Sequence, residues 1–391
     1  MAQTEQLETK TWRNVAGAWL GVGTAPGALL VGAGLASRHG GVVPLLNVLF
    51  SAALMFLILW FQGMLGLVPP LGDGVNLTEL TPRYFGKAMQ RIVGAVIAIG
   101  MTGWFGFNVG LGGAALSALL KMPSWLGPVL ISVPILILSL RGLQQWNGLA
   151  AMTTVAVLAL VVIVVAKLAA PGIPIKLSFD DPLLLITDSA VFIGYISVFS
   201  IRSPDFTAGL GKRRDLLIVD LLLCVPVILI ALAGVNLQRG TGTNDLVGIL
   251  AQPGGLAIGN LLITLAVIAP TFTTVYSGAP GLRAVTGLKI KTGMVLITIV
   301  GLFLAITRFD LLLLSWLSSL AALLPPLIIP FGVESSHRRR GHEPRLVPLW
   351  TWLPGSITAL ILMVLDIQIA PLIGLSIALV VTAIWSLKGS K

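Results

Sequence analysis

Gly21-Val22-Gly23-Thr24-Ala25-Pro26-Gly27 lies in the middle of an apolar stretch that runs from Trp12 to about Ser37. A stretch of that length reads as a helix crossing a bilayer. Three glycines and a proline within seven residues oppose a continuous helix at its centre. Lipid offers no partners to backbone N–H and C=O groups, so a break at that depth survives only where protein or a wet cavity receives them. Five spans later the pattern recurs: the sixth apolar stretch, about 182–210, carries Gly194 and Ser197 mid-span and Ser203-Pro204-Asp205 beyond them. Breaks at matching places in two halves are the best sequence pointer to the binding site of a secondary transporter.

The rest of the chain fits that frame. Its 391 residues are 56% hydrophobic and 10% charged, against roughly 25% charged in a soluble domain. This is an all-α polytopic membrane protein, and a soluble enzyme is excluded. Twelve stretches approach the length of a span: 14–37, 42–68, 84–119, 124–140, 148–170, 183–209, 214–236, 246–282, 291–307, 309–333, 347–366 and 369–387. The third and eighth are too long for a perpendicular crossing and are expected to tilt or to begin outside the hydrocarbon. Spans 1–5 (about 12–170) and 6–10 (about 182–333) read as two halves of one transporter domain, with two extra helices at about 346–388. An odd number of spans per half gives the halves opposite orientation.

The net charge of +10 encodes orientation and not a nucleic-acid partner. With the N-terminus inside, eighteen Lys and Arg fall in cytoplasmic segments and six in external ones, with Arg202 within a span, as the positive-inside rule requires. Both termini are expected to be cytoplasmic, in what reads as a prokaryotic inner membrane. Cys224 is the single cysteine, so no disulfide framework or thiolate metal site is available. Glu5 and Glu8 stand where a basic n-region would be, which argues against a cleaved signal peptide.

Several residues could carry chemistry. Unwinding near Gly194 would free backbone groups of Tyr195, Ile196 and Ser197 toward a solute, as the first-span break would at Gly23 and Thr24. Trp104 stands between Gly103 and Gly106 at mid-membrane depth, where it either stacks on a planar ligand or packs on glycine faces of its neighbours. Asn108, one turn on, offers both a donor and an acceptor. Pro270 interrupts the eighth span, and Thr273 and Thr274 beside it either ligate Na⁺ or bond their own i−4 carbonyls. Acids within membranes are costly and mark ion or proton paths. Asp188 is the leading proton-coupling candidate. Asp205 is expected to pair with Arg202 or the Lys212-Arg213-Arg214 cluster and to cap the following segment, and Asp220 to be solvated near the interface. His39, His337 and His342 fall in expected loops, so no histidine cluster is foreseen.

At these residues the chain resembles the nucleobase:cation symporter-1 family, most of all its cytosine permease branch. Four stretches in the family's order carry the likeness: GWFGFNVGLGG from Gly103, GYISVFSIRSPDF from Gly194 followed by GKRRD, PTFTTVYSGAPGL from Pro270, and LLPPLIIPFGVESSHRRR from Leu323. The resemblance implies a LeuT-type fold of five-plus-five inverted repeats and two further helices. It implies that Trp104 stacks the solute ring, with the stretch around Tyr195, Ile196 and Ser197 on the opposite face. It also implies a sodium site made by carbonyls near Gly21 and Ala25, the Pro270 carbonyl and the hydroxyls of Thr273 and Thr274. The chain departs from the family where Ile196 holds the aromatic position, Tyr195 being displaced by one. It departs again where Val275-Tyr276-Ser277 replaces asparagines. A nucleobase other than cytosine, or a related heterocycle, is therefore expected. The reading is a cation-coupled importer (Na⁺ or H⁺) working by alternating access, with no covalent chemistry. Its rivals are a LeuT-type amino acid carrier, whose first-span break would receive a carboxylate, and a non-transporting sensor.

Overall fold

In the computed structural model, residues 9–142, 146–168, 172, 174–179, 181–243, 245–251 and 257–388 are described. The ends of the fifth expected span and part of the eighth, at 169–170 and 252–256, lie outside the described residues. The protein is built almost wholly of helices. The first half comprises α1 (Trp12–Gly23), α2 (Gly27–Arg38), α3 (Leu45–Gly66), α4 (Leu77–Leu120), α5 (Leu126–Arg141) and α6 (Trp146–Ile163), the last ending in a π-turn at Val164–Leu168. The second comprises α7 (Pro182–Thr207), α8 (Arg213–Thr241), α9 (Leu246–Ala251), α10 (Ala257–Ala266), α11 (Ile268–Thr286), α12 (Ile290–Ile306), α13 (Leu313–Leu323) and α14 (Pro325–Arg339). α15 (Leu353–Val364) and α16 (Ala370–Lys388) follow. Among the described residues, eight continuous stretches are long and apolar enough to cross a membrane, and the bent α1–α2 pair makes a ninth. The shorter apolar helices α5, α12 and α15 complete the expected twelve.

The two halves pack as inverted copies. α3 lies along α7, α2 along α8, and α4 along α11. Exchanging the halves turns the first contact into the second and the third into itself, as a two-fold axis in the membrane plane requires. α3 and α7 run parallel, since Ser51 Oγ lies 3.0 Å from Ser189 Oγ near their first turns and Thr207 Oγ1 donates to the Gly63 carbonyl at 2.8 Å near their last. Three buried clusters form the interior, the largest joining α1, α2, α3, α7, α8 and α10.

Two of the breaks fall beside prolines, which carry no N–H, and one at a glycine. The first span bends by 41° at Thr24-Ala25-Pro26, inside the stretch that the sequence marks. The third begins as a separate short helix, because Gly86 takes φ +78° and turns the chain into the long part of α4. The tenth breaks at Leu324, ahead of Pro325-Pro326.

The sixth span is a correction. α7 runs unbroken through Gly194. Pro204 has no N–H for the Ser200 carbonyl, but Ser203 Oγ donates to that carbonyl at 2.7 Å and replaces the missing bond. Ser197 and Ser200 likewise donate to the carbonyls of Ile193 and Ser197, at 2.6 and 2.8 Å. Gly194 is a contact point instead of a hinge: a Cβ there would stand 2.0 Å from the Leu317 carbonyl oxygen of α13.

The acids also differ from expectation. Asp188 is fully buried and held by Arg38 Nη2 at 2.9 Å, His39 Nε2 at 2.8 Å and Asn47 Nδ2 at 3.1 Å. It ties α2 and α3 to α7 as an ion pair and stands apart from the central cavity. Asp205 pairs with Arg202 as expected, but its other oxygen caps α4 and not the following helix, accepting the Leu77 N–H at 2.8 Å. At the end that carries Arg338, Glu334 is fully buried and accepts from Arg338 Nε at 2.9 Å and from the Arg345 N–H at 2.7 Å.

Candidate functional site

A narrow cavity of about 40 Å³ sits where the first-span break, α4, α7 and α11 meet. The break contributes Val22 and Ala25, α4 Met101, Trp104 and Asn108, α7 Tyr195, Val198 and Phe199, and α11 Pro270, Thr273 and Thr274. None of these is charged. The spacing of Met101, Trp104 and Asn108 places all three on one face of α4. The Trp104 ring is wedged edge-on between Phe107, at 5.6 Å and 84°, and Tyr195, at 5.6 Å and 88°. Such edge-to-face packing holds an aromatic ring in place.

Asn108 is the most informative side chain in the cavity. Its Nδ2 donates to the Trp104 carbonyl at 2.9 Å, and only the amide nitrogen can face a carbonyl favourably, so the orientation is forced. Its Oδ1 is buried and has no partner among the described residues. An orphaned buried acceptor requires an explanation, and at a cavity wall the simplest is a ligand that donates a hydrogen bond. The other polar groups already make contacts. Tyr195 Oη donates to the Val22 carbonyl at 2.9 Å, Thr273 Oγ1 to Ala269 at 3.0 Å and Thr274 Oγ1 to Thr271 at 2.6 Å. With their protons turned into the helix, the two threonine hydroxyls offer lone pairs.

Thr273, Thr274, Ala25 and Pro270 line the same cavity. Neutral hydroxyl and carbonyl oxygens suit a hard alkali cation better than a transition metal. No cluster of three or more His, Cys, Asp or Glu among the described residues could hold a metal. Gly21 is displaced from this group, pointing toward Ala150 and Ala269 of α6 and α11, and Val22 lines the wall in its place.

The kink ahead of Pro270 is bridged from α6. The eighth span breaks at Val267, between α10 and α11, and so ahead of Pro270. Thr153 Oγ1 accepts the Ala269 N–H at 3.2 Å and faces the Leu265 carbonyl at 3.4 Å, standing in for the helix bond between those two residues. Thr153→Val keeps the shape but leaves that amide unpaired. It is expected to destabilise the protein by about 1–3 kcal/mol, read as a lowered thermal midpoint in detergent.

The remaining expected residues lie elsewhere. Ile196 is fully buried in the main cluster on the face of α7 away from the cavity. Gly23 packs against the α8 backbone, where a Cβ would come 2.7 Å from the Leu223 Cα. Thr24 Oγ1 donates to Leu20 at 2.8 Å and meets Thr154 Oγ1 at 3.2 Å. Ser197 donates within its own helix. Val22, Met101, Val198, Phe199 and Thr153 were not foreseen. Met101, Val198 and Phe199 follow from Trp104 and Tyr195 by helical periodicity, whereas a backbone carbonyl or a bridging threonine from another span leaves no local signal.

The inverted halves, the bent first span and the cavity at their meeting point define a LeuT-type transporter fold. Among solved structures the chain is similar over nearly its whole length to Mhp1, a nucleobase-cation-symport-1 family transporter, in a closed conformation with bromovinylhydantoin bound: TM-score 0.69, 17% identity, covering 98% of this chain and 94% of that one. A sodium-coupled sialic acid symporter in a substrate-bound outward-open state gives TM-score 0.61 at 13% identity, with coverage of 97% and 92%. A manganese transporter of Eremococcus coleocola gives 0.59 at 15%, with coverage of 99% and 96%. The resemblance read from the sequence therefore holds at the level of fold, and the neighbours are membrane transporters, not enzymes. No family model matches the chain, and no curated protein matches it in sequence.

Proposed function

We propose that this protein is a cation-coupled symporter that imports a small, flat, uncharged heterocycle bearing an N–H group, of the nucleobase or hydantoin type. The observation that carries the reading is the orphaned Asn108 Oδ1 one turn from the wedged Trp104, in a cavity with no charged side chain. A planar ring against Trp104 with an N–H toward Asn108 satisfies both features. The amino-acid alternative is disfavoured. The amides of Thr24, Ala25, Ala28 and Leu29 at the break already donate to Leu20, Val22, Ala25 and Pro26, and no basic residue lines the cavity to receive a carboxylate.

Na⁺ is the coupling ion of this reading, held by oxygens of Val22 or Ala25, Pro270, Thr273 and Thr274. Binding of ion and solute at the midplane biases rocking of the first, second, sixth and seventh spans against the third, fourth, eighth and ninth. Each ligand then raises the affinity of the other. On this reading both termini face the cytoplasm and the chain sits in the inner membrane, a reading that the basic loops support.

Thermal stabilisation of the purified protein by a panel of nucleobases, hydantoins, vitamins and amino acids, in sodium and in choline buffer, tests the proposal. A shift with one heterocycle, larger in sodium, is expected. A shift with amino acids alone overturns it. Thr274→Ala removes one proposed ligand oxygen and is expected to abolish the sodium increment while leaving the protein monodisperse. A retained increment rules that oxygen out.

A further inference from the structure

Buried side chains that lack hydrogen-bond partners among the described residues include the Trp19 indole on α1, the Gln62 amide on α3 and the Asp220 carboxyl on α8, the last two at both polar atoms. All three residues are 0% exposed. Asp220 is therefore not solvated, contrary to its sequence reading, and none of the three lines the central cavity.

Two contacts locate Asp220. Leu216, one turn before it, presses on Gly63 of α3, and Leu223, nearly one turn after it, presses on Gly23 of α1. Asp220 lies on the ridge between them and points into the seam of α1, α3 and α8. α8 runs antiparallel to α7 and hence to α3, so Gln62, next to Gly63, lies within about one turn of Asp220 in height.

Among the described residues no cation faces the seam. α3 carries no titratable residue. Arg13 of α1 is exposed, Arg38 of α2 is held by Asp188, and Lys167 of the π-turn is exposed. On α8 itself Arg213 and Arg214 are exposed, Asp215 accepts the Trp12 N–H, and Cys224 is the one buried titratable neighbour. A bare carboxylate among these groups costs several kcal/mol. Sodium finds few ligand oxygens there, whereas a protonated carboxyl carries no charge into the seam, whose other polar groups are the unpartnered Gln62 amide and Trp19 N–H.

We propose that Asp220 is a proton-binding site, separate from the central cavity: the carboxyl holds H⁺ in the arrangement seen here and gives it up only to an alkaline bath. A role for this proton in coupling rests on the transporter reading, but the test needs no solute. Infrared difference spectra of the protein in lipid nanodiscs, recorded while the bath is made alkaline, should show a buried carboxylic acid band that is lost reversibly. Asp220→Asn should remove that band, Asp220→Glu should shift it, and Asp366→Asn, at an exposed turn, should leave it unchanged. A wild-type protein without such a band, a band that persists in a folded Asp220→Asn variant, or one that never titrates would overturn the proposal.

Discussion

Trp104→Ala is expected to weaken solute binding by roughly 5- to 150-fold, on the basis that stacking on an aromatic face contributes about 1–3 kcal/mol per ring. The indole is partly exposed to the cavity and touches Phe107 and Tyr195 by their edges, so its loss enlarges the cavity while the helices keep their glycine contacts. The variant should insert and remain monodisperse. Calorimetric affinity for the heterocycle that the stabilisation panel selects is the measurement, with Trp104→Phe retaining a flat face and part of the affinity. Undiminished affinity in a monodisperse Trp104→Ala protein would remove the indole from the site.

The second large effect is mechanical. Gly194→Ala puts a methyl group 2.0 Å from a carbonyl oxygen and 2.6 Å from a carbonyl carbon of Leu317. Both are backbone atoms that no rotamer change can move, so α7 and α13 must separate. Overpacking of this kind typically costs 1–3 kcal/mol, occasionally more, and the upper end is expected. Gly332→Ala makes the comparison informative: a Cβ there meets nothing within 4 Å, and alanine in an unobstructed helix is favoured by up to about 1 kcal/mol. The same substitution should thus lower the thermal midpoint at 194 and raise it at 332. Equal and small shifts at both positions would show that the α7–α13 contact is looser than described.

How much of this was legible in the sequence depended on where each feature is encoded. The number of spans was legible because hydrocarbon demands long apolar runs, and the first break because Gly21, Gly23, Pro26 and Gly27 act locally on their own backbone. The same local logic failed at the sixth span. The donor that Pro204 lacks is supplied by the neighbouring Ser203 hydroxyl, and the missing Cβ of Gly194 makes room for a partner more than a hundred residues away. The break at Leu324 was written in Pro325-Pro326. Trp104, Asn108, Tyr195, Ala25, Pro270, Thr273 and Thr274 were named from sequence and come together around one cavity. Val22 was missed because nothing in the local sequence marks which residues of the first-span break line the cavity. Asp188 was read as a proton-coupling candidate because the groups that hold it, Arg38, His39 and Asn47, reach it from other elements.

Tyr195 has a wider implication. Its ring forms part of the central cavity beside Trp104, and its hydroxyl donates to the Val22 carbonyl at 2.9 Å, on the break that borders the proposed ion position. On the proposed reading, one rigid phenol spans both ligands. A change at 195 that admitted a larger ring would also release the Val22 oxygen and alter its electron density toward a cation. Substrate range and ion affinity are then not independently adjustable traits in this lineage, and a variant selected for a new solute should arrive with a changed salt requirement.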